Sequence, residues 1–357
     1  MGRHTAPLWP TLALIAALPV GAASAAAAPD TAPAVGFRTM TIAESAQGRA
    51  LEVALWYPTD DHARDTTLIA DNRAFVGTAL RVDAPPQPGR HPLVVLSHGY
   101  GGNWTNEQWL AADLAAQGYI VAAPNHPGTT TRDLAAPDQV RLWERPRDVS
   151  RVIDAVNADS RIAPTLVAQQ AAVIGHSLGG WTAVALAGGR FDPARFAQSC
   201  QAHPAMAACG PEIGADRRDA ATMTALAQPL GDARVRAVVT LDLGLTQGFD
   251  PASLAAVRVP ALVIAAGPGN PKMPVDLESR TLADRLPAAT TRYVAIDDAS
   301  HFSFLRVCKA DAIPLLEADR PGDGVVCRDG NGRDRAAIHR QVADQVSRFL
   351  KDTMPSL

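Results

Sequence analysis

Ala172-Val173-Ile174-Gly175-His176-Ser177-Leu178-Gly179-Gly180-Trp181 is the stretch that decides the fold. Its first three residues form a short continuous apolar run, the pattern of a strand buried on both faces. From Leu178 to about Ala187 the composition turns small and apolar, as in a packed helix. Between the two, Gly175 and Gly179 stand two positions either side of Ser177. A serine on a strained strand-to-helix turn needs small neighbours at those two places, because the chain doubles back on itself there. Such a turn lifts the hydroxyl above the sheet. It also aims the N–H of Leu178, at a helix N-terminus, toward any oxyanion that forms beside the serine. A glycine-rich turn with a passive serine is the plainer alternative, and the flanking strand and helix weigh against it.

Working outward, Leu93–Leu96, Tyr119–Ala123, Ala237–Leu241 and Ala261–Ala265 are further apolar runs, and Thr291–Ile296 reads as the last strand. Helical faces lie between them. Val149, Val152, Ile153 and Val156 keep the i, i+3, i+4, i+7 spacing, and Trp109, Leu110 and Leu114 mark another helix. A closing helix is expected over Asp334–Asp352 with Ile338, Val342, Val346, Phe349 and Leu350 on one stripe. Alternating strands and helices predict an α/β fold, a mostly parallel central sheet with helices on both faces. Val35–Glu44 and Arg49–Tyr57 lead into it as a hairpin, and residues 58–91, rich in Pro, Asp and Gly, read as a long irregular connection. Residues 29–357 are expected to form one domain, with insertions near 189–232 and 306–333.

A serine hydroxyl is a poor nucleophile without a base. Of nine histidines, His301 follows the strand Tyr293–Ile296 in the loop Asp297-Asp298-Ala299-Ser300-His301-Phe302. That places it on the same sheet edge as Ser177. His98, His126 and His176 lie near this edge too, and are expected to line or brace the pocket. The second oxyanion donor should come from the loop His98-Gly99-Tyr100-Gly101-Gly102-Asn103, with the N–H of Tyr100 the choice. A phosphate-binding glycine loop is disfavoured, since no G-K-[ST] or G-x-G-x-x-G follows. Trp104, Trp181 and Phe302 flank these motifs and are candidates for the substrate wall, with core packing the commoner reason for such rings.

The blocks Ser97-His98-Gly99-Tyr100-Gly101-Gly102, Gly175-His176-Ser177-Leu178-Gly179-Gly180 and Ala299-Ser300-His301-Phe302-Ser303-Phe304 resemble those of α/β-hydrolases, in particular bacterial dienelactone-hydrolase-like serine hydrolases. These are related to platelet-activating-factor acetylhydrolases and, more distantly, to polyester-cleaving cutinases. The resemblance spans roughly residues 35–352. It implies that Tyr100, the residue after His-Gly, donates to the oxyanion. True dienelactone hydrolases use a cysteine nucleophile where this chain has Ser177, which counts against the lactone substrate.

In many α/β-hydrolases the acid follows the next-to-last strand. The matching segment here, Gly267-Pro268-Gly269-Asn270-Pro271-Lys272-Met273-Pro274, offers only Asn270. An amide orients imidazole but cannot stabilise imidazolium by charge. One strand earlier, Asp242 ends Val238-Val239-Thr240-Leu241, a place that resembles the acetylhydrolase pattern, so Asp242 is the expected acid. Asp276 is the reserve, and Asp298 sits too near His301 in the chain.

The chain has 357 residues, 47% hydrophobic and 19% charged, which excludes a disordered or fibrous protein. A formal net charge of −3 advertises no basic face for nucleic acid. Arg3 and His4, the apolar run 12–20 and small residues with A-x-A options ending at Ala25 or Ala28 read as a signal peptide over residues 1–28. The mature chain is then expected in the periplasm or medium, with no transmembrane segment. Cys200, Cys209, Cys308 and Cys327 fit disulfides in that setting. Proximity suggests Cys200–Cys209 and Cys308–Cys327, though three connectivities are open. Together these features predict a serine hydrolase acting on small-molecule or lipid-like esters, with no metal or organic cofactor. An amidase or acyltransferase would use the same residues, and a non-catalytic binding module would keep only the fold. Nothing in the sequence sets an oligomeric state.

Overall fold

The computed structural model describes residues 1–2, 34–44, 49–134, 141–210, 219–330 and 332–354. Beyond its first two residues the leader read at 1–28 lies outside that set, as does the turn at Gly48. The strands are β1 Ala34–Ile42, β2 Leu51–Thr59, β3 Thr67–Ile69, β4 Thr78–Val82, β5 His91–Ser97, β6 Ile120–Pro124, β7 Leu166–His176, β8 Val235–Leu241, β9 Ala261–Ala266 and β10 Thr291–Ile296. The α-helices are α1 Gln108–Ala116, α2 Glu144–Ala158, α3 Leu178–Leu186, α4 Pro193–Ala202, α5 Ala220–Leu226, α6 Pro251–Ala255, α7 Ser279–Arg285, α8 Ala312–Asp319 and α9 Arg335–Thr353.

These strands make one sheet in the order β10-β9-β8-β7-β5-β6-β2-β1-β4-β3. Pairings from β6 through β5, β7, β8 and β9 to β10 are all parallel, while β2 pairs antiparallel with both β1 and β6. Alternation along the buried strands divides the core into two layers. Leu93, Val95 and Val173 face the side covered by Val149, Val152 and Val156 of α2 and by α3. Val94, Leu96 and Ile174 face the side covered by Leu110 and Leu114 of α1 and Ile338, Val342 and Val346 of α9. Each such side chain contributes about 1.5–3 kcal/mol by leaving water. The apolar stripes read from the sequence are therefore the stripes that face the sheet.

Two departures from expectation concern the extent of the strands. Residues 58–91 are not wholly irregular: β3 and β4 form an antiparallel pair, and β4 docks parallel to β1 through Gly36–Arg81 and Phe37–Val82. Leu80 is the buried residue of that short strand. Strand β7 is also far longer than Ala172–Ile174, extending back to Leu166. The insertions hold α4 and α5, and α8 with the 3₁₀ turn Asp323–Cys327. Cys200 bonds Cys209 and Cys308 bonds Cys327, the two local pairings.

From β5 the chain steps to β6 on one side, then returns across β5 to β7 on the other. Such a reversal opens a crevice at the carboxyl ends of the two strands, where ligands of open α/β sheets bind.

Candidate active site

That crevice is where Ser177 sits. It caps α3 with φ 53° and ψ −117°, a conformation costly for a residue with a side chain. Two hydrogen bonds hold it there: the Ser177 N–H donates to Leu241 O at 3.0 Å, and Gly180 N–H donates to Ser177 O at 2.9 Å. A Cβ at Gly175 would collide with the Gly179 carbonyl, and one at Gly179 with the Ser97 carbonyl. The start of α3 thus lies directly against β7 and the end of β5, which is the physical reason for glycine at both places.

His301 opens a 3₁₀ turn, His301–Phe304, whose start is fixed by a capping box between Ser300 and Ser303. The Ser177 hydroxyl donates to His301 Nε2 at 3.1 Å, and His301 Nδ1–H donates to Asp242 Oδ2 at 2.7 Å. Asp242 follows β8 with φ 46°. Its N–H donates to Ile264 O at 2.8 Å, and Ala266 N–H donates to its Oδ1 at 3.0 Å. The carboxylate is thus anchored to β9 by one oxygen and free to orient imidazole with the other. Asp276 is exposed, and Asp298 is engaged by Arg333 at 2.6 and 2.7 Å, so neither reaches His301. Asn270 accepts from Lys272 N–H at 3.0 Å within its own loop.

Ser177, His301, Tyr100, Leu178 and Phe302 share a cavity of about 780 Å³ with Met273. Leu178 is the first residue of α3, a position whose N–H has no acceptor within a helix. The loop carrying Tyr100 lies close by, since a Cβ on Gly99 would stand 3.1 Å from Ser177 Cβ.

Two substrate-wall expectations are corrected. Trp104 packs on Phe37 and Trp56, with ring centroids 5.7 and 5.8 Å apart, and is absent from the cavity lining. Trp181 is fully buried against Phe191 and Phe249. Every residue of α3 is buried, so a ring four positions past the serine enters the core. Phe302 does line the cavity.

A family model described as "Alpha/beta hydrolase family" matches residues 94–310, which span β5 through the serine turn to the His301 loop. The chain belongs to the alpha/beta hydrolase family. A ferulic acid esterase from Streptomyces cinnamoneus shares the fold, with a TM-score of 0.62 and 21% identity over 92% of each chain.

In this alpha/beta hydrolase the serine turn and the Tyr100 loop are braced from beneath by His98, His126 and His176, as expected, together with Arg145 and Asp148, which sequence reading did not single out. Arg145 of α2 is buried and donates to the His98 carbonyl, to Thr129 Oγ1 at 2.6 Å, to Thr182 Oγ1 at 3.2 Å and to Ser97 Oγ at 3.3 Å. Ser97 donates to His126 Nε2 at 3.0 Å, and His126 Nδ1–H donates to Asp148 Oδ2 at 3.0 Å. Asp148 is in turn held by Arg49 at 2.8 Å. This buried Ser-His-Asp chain copies the connectivity at Ser177 but has no access to a substrate. His126 N–H donates to His98 Nε2 at 3.1 Å, and His98 Nδ1–H to Gly99 O at 2.7 Å. Burial, and then the Arg145 charge, hold both imidazoles well below their ordinary pKa, so they are neutral connectors.

His176 completes the bracing. Its Nε2–H donates to the His301 carbonyl at 2.9 Å, leaving Nδ1 as a bare acceptor 3.8 Å from Glu107 Oε1. Burial first, and His301 second, lower the His176 pKa to about 3. Burial raises Glu107 to about 8 against the pull of Arg145, so near neutrality the carboxyl beside His176 is uncharged. Arg145 and Asp148 did leave a signal: they are charged residues at the edge of the Val149–Val152–Val156 stripe of α2.

Among the described residues no helix is long and apolar enough to cross a membrane.

Proposed function

We propose that this alpha/beta hydrolase is an exported serine esterase that cleaves carboxylic esters of small molecules through an acyl-enzyme at Ser177. The observation that carries the reading is the unbroken hydrogen-bonded line from the Ser177 hydroxyl through His301 to Asp242, open at its serine end to a cavity. His301 Nε2 takes the hydroxyl proton as the oxygen attacks the ester carbonyl. The N–H groups of Leu178 and Tyr100 stabilise the oxyanion in this scheme, the largest single contribution in acyl transfer. Imidazolium, stabilised by Asp242, then protonates the departing alcohol. Water, deprotonated by the same nitrogen, releases the acid and restores the hydroxyl.

Leu178, Leu245, Met273 and Phe302 give the cavity apolar walls suited to an acyl or aryl group. A solved structure that shares the fold is described as a ferulic acid esterase, which favours esters over amides. The resemblance to dienelactone-hydrolase-like serine hydrolases points the same way. Export is supported by the leader at residues 1–28 and by two disulfides, a usage of oxidising compartments.

A fluorophosphonate probe should label the folded protein at Ser177, and Ser177→Ala should abolish labelling. A series of p-nitrophenyl esters graded by acyl length, with matched anilides, then sets the preference. A folded protein that neither labels nor turns over any member of the series would leave the binding-module reading in its place.

A further inference from the structure

Arg145 is the second residue of α2, and its side chain is fully buried. All of its hydrogen bonds go to neutral oxygens: Thr129 Oγ1, Thr182 Oγ1, Ser97 Oγ and the His98 carbonyl. Among the described residues it pairs with no carboxylate. The acids that act on it through space, Asp148 and Glu107, are otherwise engaged. Asp148 holds Arg49 at 2.8 Å, and burial keeps Glu107 uncharged near neutrality. Burial lowers the Arg145 pKa only to about 9, so the guanidinium keeps its charge there. A buried cation without a paired counter-ion is costly.

What the fork touches gives that cost an account. Nη2–H donates to the carbonyl of His98, which opens the loop carrying Tyr100. Nη1–H donates to Thr129 Oγ1 at 2.6 Å, and the Thr129 carbonyl accepts from Gly101 N–H at 3.0 Å, so the far side of the same loop is held too. Nε–H donates to Thr182 Oγ1 at 3.2 Å, and that hydroxyl donates to the Leu178 carbonyl at 3.2 Å, one turn back in α3. One rigid, planar group therefore spans the Tyr100 loop and the first turn of α3, the two elements whose N–H groups serve the oxyanion in the scheme above. Arg145 is absent from the cavity lining, so it acts through these elements and not on a ligand.

We propose that Arg145 is a positioning residue for the oxyanion: it sets the spacing of the Tyr100 and Leu178 N–H groups and adds an unpaired positive charge behind them. This rests on the esterase reading above and deepens it. An ester carbonyl is neutral on arrival, and its oxygen gains negative charge only as the tetrahedral state forms. A fixed cation in the core favours the second over the first, because its surroundings screen it little. Arg145 therefore acts on kcat and hardly on KM.

The test uses the full chain, with p-nitrophenyl acetate as substrate and butylboronic acid as an inhibitor that becomes a tetrahedral anion on the serine. Rates are taken per serine labelled at the end point by a fluorophosphonate, so that any unfolded fraction drops out. Arg145→Gln should lower kcat about 100-fold with KM changed less than about threefold. The boronate should bind more weakly by a similar factor. Arg145→Lys, which keeps the charge and loses the fork, should recover about tenfold of the lost rate. An Arg145→Gln protein within about threefold of wild-type kcat would overturn the proposal, whatever its Tm. So would a loss confined to KM, or an unchanged affinity for the boronate, since a merely structural role predicts either. Should Arg145→Gln not fold, Arg145→Lys decides: a tighter spacing requirement predicts a lower kcat and a weaker boronate, and wild-type values for both would sink it. A wild type inert to ester and probe alike would overturn the esterase reading and this proposal with it. An active wild type beside an equally active Arg145→Gln overturns this proposal alone.

Discussion

His176 Nε2–H donates to the backbone carbonyl of His301 at 2.9 Å, so the residue before Ser177 holds the loop that carries the His301 imidazole. The two imidazole rings lie with centroids 4.7 Å apart. Ser177 and His301 are 124 residues apart in the chain, yet a contact from the residue before Ser177 to the His301 backbone holds the two together. The position after Gly175 is thereby tied to the geometry of the Ser177–His301 hydrogen bond as well as to packing.

His176→Phe keeps the ring and removes that hydrogen bond. Ester turnover should fall about tenfold, the effect of one lost hydrogen bond of about 1–1.5 kcal/mol, with KM little changed. Labelling by a fluorophosphonate should slow without disappearing. Full activity in a folded His176→Phe protein would show that His301 is held by its own turn alone.

Asp242 and Asp276 can be separated by single substitutions. Asp242→Asn preserves the shape around His301 but removes the charge opposite imidazolium, and kcat should drop by about 10⁴. Asp276→Asn, on an exposed side chain, should change kcat by less than about twofold. The reverse ranking, measured at saturating ester, would move the acid to Asp276.

How much of this was legible follows from where each signal resides. The serine turn could be read because Gly175 and Gly179 are demanded by backbone contact that no side chain can satisfy. The parallel strands could be read because burial on both faces makes them continuous apolar runs. Strands β3 and β4 could not, since three to five residues among Pro and Asp acquire their order only by pairing with each other and, through β4, with β1. The cavity wall misled for a different reason. Trp104 and Trp181 are near the motifs in sequence, but helix and loop geometry turns them into the core, while Met273 and Val325 arrive from distant loops. Arg145 and Asp148 were passed over because charged residues beside an apolar stripe usually mark its solvent boundary, and here both are buried.

Asp148 is the only carboxylate within ion-pair distance of buried Arg49 among the described residues, and it also receives His126. Asp148→Asn should destabilise the fold by about 3–5 kcal/mol, because removing one member leaves a buried charge unpaired. Urea melts followed by circular dichroism would read this as a lower midpoint with an unchanged slope. A loss under about 1 kcal/mol would mean that water reaches Arg49 once the carboxylate is gone. Ser97→Ala should cost little catalytic rate, since that hydroxyl lies beneath the Tyr100 loop and not in the cavity.

Glu107 gives the protein a sloping stability above pH 6.5. Its carboxyl is raised from 4.5 in the unfolded chain to about 8 in the fold, chiefly by burial. Between those values the folded form keeps a proton that the unfolded form has released, so raising the pH favours unfolding. Glu278, raised by burial to about 7, adds to the same slope over a narrower range. The buried histidines act oppositely: His176 and His339, lowered to about 3 and about 4, stay neutral while their unfolded counterparts take up protons below 6.5. Stability from those groups is lost as the pH falls from about 8 through 6.5 and below, and that contribution is the same in the wild type and in Glu107→Gln. The difference between the two proteins over pH 6.5 to 8 therefore isolates Glu107. Across that window the wild type should lose about 1.5 kcal/mol relative to Glu107→Gln, somewhat under one proton's worth over the span. Thermal melts at intervals of half a pH unit would read the difference. Identical slopes in the two proteins would mean that Glu107 is ionised in the fold.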